Sequence, residues 1–169
     1  MLSLAHQGQA QDGIAQLHQG LTACHVIGIA LLRPHYLALL ADAHGTIRHQ
    51  ELGVKVLTEA LTLMDTTGER VWEPELYRLK GALLLQLSSD NQAEAEHCFH
   101  HAMALAHAQQ AKSFELRTAT NLARLWQQQG KRQEAHDLLA QVYNWFTEGF
   151  DTADLQDAKA LLDALEDGR

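Results

Sequence analysis

Apolar residues recur along this chain at helical spacing, in paired stretches separated by short polar breaks. Residues 77–110 show the unit most clearly. Leu79, Leu83, Leu84 and Leu87 mark one helix over 77–87. Ser88-Ser89-Asp90-Asn91 interrupts it. Such short polar side chains accept from the free backbone N–H groups that open the next helix. The second helix carries Ala95, Phe99, Ala102 and Ala106 at i, i+4, i+7 and i+11, one stripe of its surface. Small residues at Ala95 and Ala102 let two helix backbones approach, and Phe99 fills the space between them.

The same pair recurs in both directions. Residues 1–7 read as the tail of a helix ended near Gly8. Residues 9–26 form a second-type helix with Gly13, Leu17 and Gly20 in its stripe, each glycine weakening it by ~1 kcal/mol relative to Ala. Gly28 punctuates. Residues 29–43 carry Leu32, Tyr36, Leu39, Leu40 and Ala43, broken at His44-Gly45-Thr46; 50–66 carry Gly53, Leu57 and Ala60. Gly68 stands where a left-handed residue ends a helix. Residues 112–129 bear Leu116, Ala119, Leu122, Leu125 and Trp126, Gly130 stops them, and 131–146 bear Ala135, Leu139 and Val142. A last helix after 147–151 has Leu155, Ala158, Leu162 and Leu165 on one face and Asp154, Asp157, Lys159, Asp163 and Glu166 on the other. One apolar and one charged face suit a terminal cap. The pattern predicts seven complete helices, an N-terminal stub and no substantial sheet.

The stripes begin at Gly13, Gly53, Ala95 and Ala135, separated by 40, 42 and 40 residues. A fixed period of this kind marks a solenoid. The small–aromatic–small stripe in the second helix is a tetratricopeptide-type pattern, with a period longer than the usual ~34 residues. The expected fold is an all-α right-handed α-α superhelix of tetratricopeptide-like hairpins with a C-terminal capping helix. It forms a single solenoid over 1–169: a truncated first repeat (1–28), further repeats at 29–68, 69–111 and 112–149, and the cap at 150–169.

Composition agrees. The chain is 46% hydrophobic with only two prolines, and strand-like runs of Val, Ile and Thr are scarce. Its net charge of −8 comes with no basic patch, which argues against nucleic acid. Cys24 and Cys98 stand far apart without CxxC, as buried thiols of a reducing compartment. No signal peptide and no apolar run of roughly 18 residues is visible, so a cytoplasmic location without membrane contact is expected. The phosphate-binding, dinucleotide, nucleophile-elbow and zinc-protease motifs are absent, and the chain is read as a non-enzyme without a cofactor. Glu94, His97 and His101 share a helix face at i, i+3 and i+7. That face lies opposite the Ala95–Phe99 stripe, so a solvated surface is preferred to a metal site, which needs about four ligands. Glu134 with Asp137, and Asp154 with Asp157, are read as solvated faces too.

From about residue 75 to 165 the chain resembles the C-terminal tetratricopeptide region of large bacterial signalling ATPases. In these, a class III adenylate/guanylate cyclase domain or a DNA-binding regulator precedes an ATPase module and helical repeats. The matching stretches are ELYRLKGALLL (75–85), AEAEHCFHHAMALAHAQQAKSFELRTATNLARLW (93–126) and, most specific, VYNWFTEGFDTADLQDAKALLDAL (142–165). The resemblance implies a non-catalytic segment that binds a protein or peptide partner or regulates the upstream ATPase. It also implies that the first helix of each pair lines a concave groove. Transfer by alignment on Leu40, Gly81 and Leu122 gives Leu37, Ala41 and His44; Glu75, Arg78, Ala82, Leu85 and Gln86; and Ala119, Ala123, Trp126 and Gln127. Small residues at Ala41, Ala82 and Ala123 leave room for a ligand backbone, and Arg78 is read as a partner for a carboxylate. Trp126 is either an exposed anchor or packs against the helix at 131–146.

Two rival functions stand beside this one: a small-molecule effector sensor, which needs an apolar pocket with convergent polar groups, and a dimerisation module. The second follows from the N-terminal edge. Ile14, Leu17 and Leu21 lie on a stripe that residues 1–7 only partly cover, so a homodimer or a preceding segment is expected there.

Overall fold

The computed structural model describes the backbone of residues 2–26 and 32–167 and the side chains of 11–23 and 32–167. Among the described residues eight α-helices follow one another: α1 (Leu2–Val26), α2 (Arg33–Thr46), α3 (Gln50–Thr67), α4 (Glu73–Leu87), α5 (Gln92–Ala108), α6 (Lys112–Gln128), α7 (Arg132–Tyr143) and α8 (Ala153–Glu166). A 3-10 turn, Ser89–Asn91, precedes α5. No strand occurs among the described residues.

The helix pairs α2/α3, α4/α5 and α6/α7 are antiparallel hairpins, and α3, α5 and α7 each also pack on the helix that follows. The helices α2, α4, α6 and α8 therefore lie side by side, each touching the next. The result is an all-α right-handed superhelix of tetratricopeptide-like hairpins closed by α8.

The stripes form the core. Leu57, Ala60, Ala95, Phe99, Ala102, Ala106, Ala135 and Leu139 have no exposed surface. Phe99 explains a detail of the central pair. Its ring lies on Gly81, where an added Cβ would stand 2.7 Å from Phe99 Cε1. The flanking pairs have Leu40 with Leu57, and Leu122 with Leu139, at the corresponding places, all buried. One large and one absent side chain replace two medium ones. Gly53 admits Leu83 in the same way, at 2.6 Å from a hypothetical Cβ.

Most breaks fall where the pattern places them. Gly68 ends α3 at φ 73°, and Gly130 follows α6 at φ 79°. Ser88 accepts from the Asp90 N–H. Four points differ. The expected break at Gly8 is absent, because α1 runs through it; a glycine flanked by helix-tolerant glutamines weakens a helix without stopping it. The expected count of seven complete helices is one short. The α4 helix starts at Glu73 rather than 77, with Pro74 in its first turn, where proline's fixed φ and missing donor cost nothing. And α7 stops at Tyr143, short of 146. The expected break at Gly28 lies outside the described residues, as does the side chain of Cys24. Cys98 is buried, and burial raises its thiol pKa. Ile14, Leu17 and Leu21 on α1 are half-buried, and Leu21 reaches the α2–α4 core.

Candidate functional site

The four side-by-side helices enclose an open groove of about 550 Å³. Leu39, Asp42 and Thr46 enter it from α2, and Glu75, Arg78, Ala82 and Gln86 from α4. Arg117, Asn121 and Arg124 enter from α6, and Asp154 and Asp157 from α8. Each set repeats at three- and four-residue steps, the spacing of one helix face.

The floor is an ionic network that joins three helices. Arg78 donates through Nε to Glu75 Oε2 and through Nη2 to Glu75 Oε1, both at 2.9 Å. This is a two-bond fork that fixes both planes. Arg117 Nη1 donates to the same Glu75 Oε1 at 2.9 Å, and Arg78 Nη1 reaches Asn121 Oδ1 at 3.4 Å. Arg117 Nε lies 3.0 Å from Asp154 Oδ2, close enough for ion pairing but without hydrogen-bond alignment. Arg124 pairs with Asp157. Burial alone would raise the Glu75 pKa; the Arg78 and Arg117 contacts outweigh it and hold the carboxyl below its ordinary value. Burial opposes charge on Arg78, and Glu75, with Asp42 and Asp154 behind it, raises its pKa regardless.

Of the positions transferred from the resemblance, Glu75, Arg78, Ala82 and Gln86 come together here. The others turn elsewhere. Leu37 and Ala41 pack in the core with α3; Ala119 and Ala123 pack in the core with α7 and α8. Leu85 packs against the Phe99 cluster. Ala41 and Ala123 are fully buried and leave no room for a ligand; Ala82 is the small residue that lines the groove. His44 is buried beside His49, ring centroids 6.2 Å apart, with its Nδ1 unpartnered among the described residues. Burial, then His49 and His18, lower its pKa. Trp126 packs between α5 and α7: its Nε1 donates to Glu96 Oε1 at 2.7 Å, and Lys131 Nζ lies 6.0 Å over its ring. The Trp126 bond, with lesser help from Gln129, Lys131 and His100, depresses the Glu96 pKa against a smaller burial effect. Gln127 is half-buried and does not line the groove.

The groove meets α2 at Asp42 rather than Ala41 and α6 at Arg124 rather than Ala123. A uniform 41-residue transfer stops one position short on both helices. One residue is about 100° of rotation, enough to exchange groove for core. Arg78, read as a partner for a carboxylate, is forked onto Glu75 of its own helix. The acids of α8 are solvated as expected, and in addition Asp154 and Asp157 form one end of the groove. The alternation of Arg117, Asn121 and Arg124 carries the signal that identifies them, as polar positions at helical steps on a face that avoids Leu116 and Leu122.

Glu94 pairs with Lys80 at 3.8 Å, His101 stands edge-on to Tyr77, and His97 is exposed. No group of three His, Cys, Asp or Glu side chains among the described residues is arranged to hold a metal. Asp137 accepts from Gln133 Nε2, and Glu134 is exposed. A larger depression of about 690 Å³ lies along α3 beside Arg33. Its Thr58 and Thr62 hydroxyls already donate to carbonyls of their own helix at 2.9 Å.

No helix among the described residues is long and apolar enough to cross a membrane. No protein-family model matches the chain, and no curated protein matches it. Two solved structures are similar over nearly all of it. Both are of a Podosopora anserina protein described as a putative kinesin light chain with nearly identical TPR-like repeats. One, a single-substitution variant of that protein, has TM-score 0.65 at 19% identity, over 98% of this chain and 82% of the other. The second has TM-score 0.64 at 20% identity, with the same coverage. At that identity the likeness bears on the fold, and the fold of this chain is that of tetratricopeptide-like repeats.

Proposed function

We propose that this chain is a non-catalytic protein-interaction or regulatory repeat segment, and that a partner segment lies in the groove across α2, α4, α6 and α8. One observation carries the reading: one face of four alternate helices, α2, α4, α6 and α8, converges on a single open groove. A binding surface built across repeats in this way is what solenoids offer. The lining is polar and ion-paired, whereas an effector pocket is mostly apolar; this favours a protein segment over a small molecule. The stretches at 75–85, 93–126 and 142–165 support a setting in the C-terminal part of a cytoplasmic bacterial signalling ATPase or cyclase. There the partner is a second protein or the chain's own ATPase module.

A photo-crosslinking amino acid placed at Gln86, exposed in the groove, tests this against the same group at Thr62 on α3. Crosslinks to one discrete product from Gln86, and none from Thr62, are expected in cells of the source organism. Crosslinks from Thr62 alone would place the interaction elsewhere.

A further inference from the structure

The arginines of the groove are already held within the chain. Arg78 is forked onto Glu75, Arg117 bridges Glu75 and Asp154, and Arg124 pairs with Asp157. A partner carboxylate engages the Arg78 fork only by displacing Glu75, and at Arg117 and Arg124, which keep free donors, it meets a cation already facing an intrachain acid. The carboxylates differ. Asp42 lines the groove, is exposed, and makes no side-chain hydrogen bond or ion pair among the described residues, its charge acting on Arg78 only at a distance. Asp154 and Asp157 stand at the rim with side chains 46% and 51% exposed. Each pairs through one oxygen, and a carboxylate has about four acceptor sites. Asp42, Glu75, Asp154 and Asp157 face three arginines across the groove. One negative charge is left, within a chain of net charge −8. Leu39, 43% exposed, stands one turn before Asp42 and offers apolar contact beside the carboxylate.

We infer that the groove takes a cationic amphipathic protein segment. It seats a lysine or arginine on Asp42, an apolar side chain on Leu39, and further cations on the Asp154–Asp157 rim. This rests on the groove being the partner surface, and it names the charge of the partner.

Two fluorescent peptides of ~12 residues test it, one of Leu and Lys and one of Leu and Glu in the same order. They are titrated by anisotropy against the wild type, Asp42→Asn, Ala82→Trp and Gln86→Lys, at low and high salt. The Leu/Lys peptide is expected to bind at least about tenfold more tightly than the Leu/Glu peptide, and less tightly at high salt. Asp42→Asn should weaken it about three- to fivefold, the size of one partly exposed ion pair. Ala82→Trp should block it. Gln86→Lys, at an exposed position that tolerates change, should weaken it by repulsion and stands in should Ala82→Trp unfold. Tighter binding of the Leu/Glu peptide, lost in Ala82→Trp or in a Gln86→Leu control, would overturn the inference while keeping the groove. Leu/Lys binding that none of the variants changes would be diffuse attraction to an acidic chain and would overturn both. Failure of both peptides at about millimolar concentration would overturn the inference.

Discussion

Single residues carry two size and charge trades that mutation can separate. Phe99 and Gly81 are one unit, since the ring occupies the place of a missing side chain. Phe99→Ala should cost ~3–5 kcal/mol, the range for a buried aromatic, read by chemical denaturation. Gly81→Ala gains ~1 kcal/mol of helix propensity yet is expected to destabilise, because its methyl meets a rigid ring. In a Phe99→Leu background the same change should become stabilising, and a same-sign effect in both backgrounds would refute the pairing. Arg78 and Glu75 are the second trade. Their side chains are 15% and 10% exposed, so Arg78→Ala leaves a buried carboxylate with Arg117 as its one remaining cation and should cost up to about 3 kcal/mol. A surface clamp free for a ligand would cost almost nothing. The pH dependence has a defined sign. Glu75 has a depressed pKa in the fold, so its contribution is present above the ordinary carboxylate range and is lost as pH falls through the folded value. His44 is likewise depressed; its neutral buried form favours folding above pH ~6.5 and costs stability as pH falls below that. His44→Leu should flatten the melting temperature between about pH 7 and 5, and an unchanged slope would show that the ring is not the titrating group.

Helices and their partners were legible to different depths in the sequence. The second-type helices bury a narrow stripe of small and large residues, so Gly53, Ala95 and Ala135 could be placed without knowing their neighbours. The first-type helices bury one face and present another, and the border runs between adjacent residues. Ala82 lines the groove while Ala41 and Ala123 are enclosed, although the three are equally spaced in sequence. Rotation of each helix about its axis decides this, and it is set by packing that periodicity does not encode. The same limit hid the role of α8. Its charged face was legible, but its contact with α6, which brings Asp154 to Arg117 and Asp157 to Arg124, is tertiary. Charge reversal tests that contact. Arg124→Asp should lower the melting temperature slightly, and Arg124→Asp with Asp157→Arg should restore it, whereas additive losses would deny the pairing.

At the scale of the whole molecule, the chain is a row of hairpins that each meet only their neighbours. Damage at Phe99 should therefore loosen α3 and α6 before α1 or α8, as amide exchange can show. The two ends differ. The α8 helix buries Leu155, Ala158, Leu161, Leu162 and Leu165, whereas on α1 Ile14, Leu17 and Leu21 remain half-buried. Concentration-dependent self-association of the chain is expected from that difference, removed by Leu17→Glu; a monomer at every concentration in sedimentation would contradict it. The central claim is that the face shared by α2, α4, α6 and α8 is where a partner binds. Backbone amide NMR during titration of the crosslinked partner segment tests it most directly. The account predicts the largest shift changes at Asp42, Ala82, Asn121 and Arg124, with Lys55, Thr58 and Thr62 unmoved. Changes confined to α3 and α5, with the groove residues silent, would contradict it.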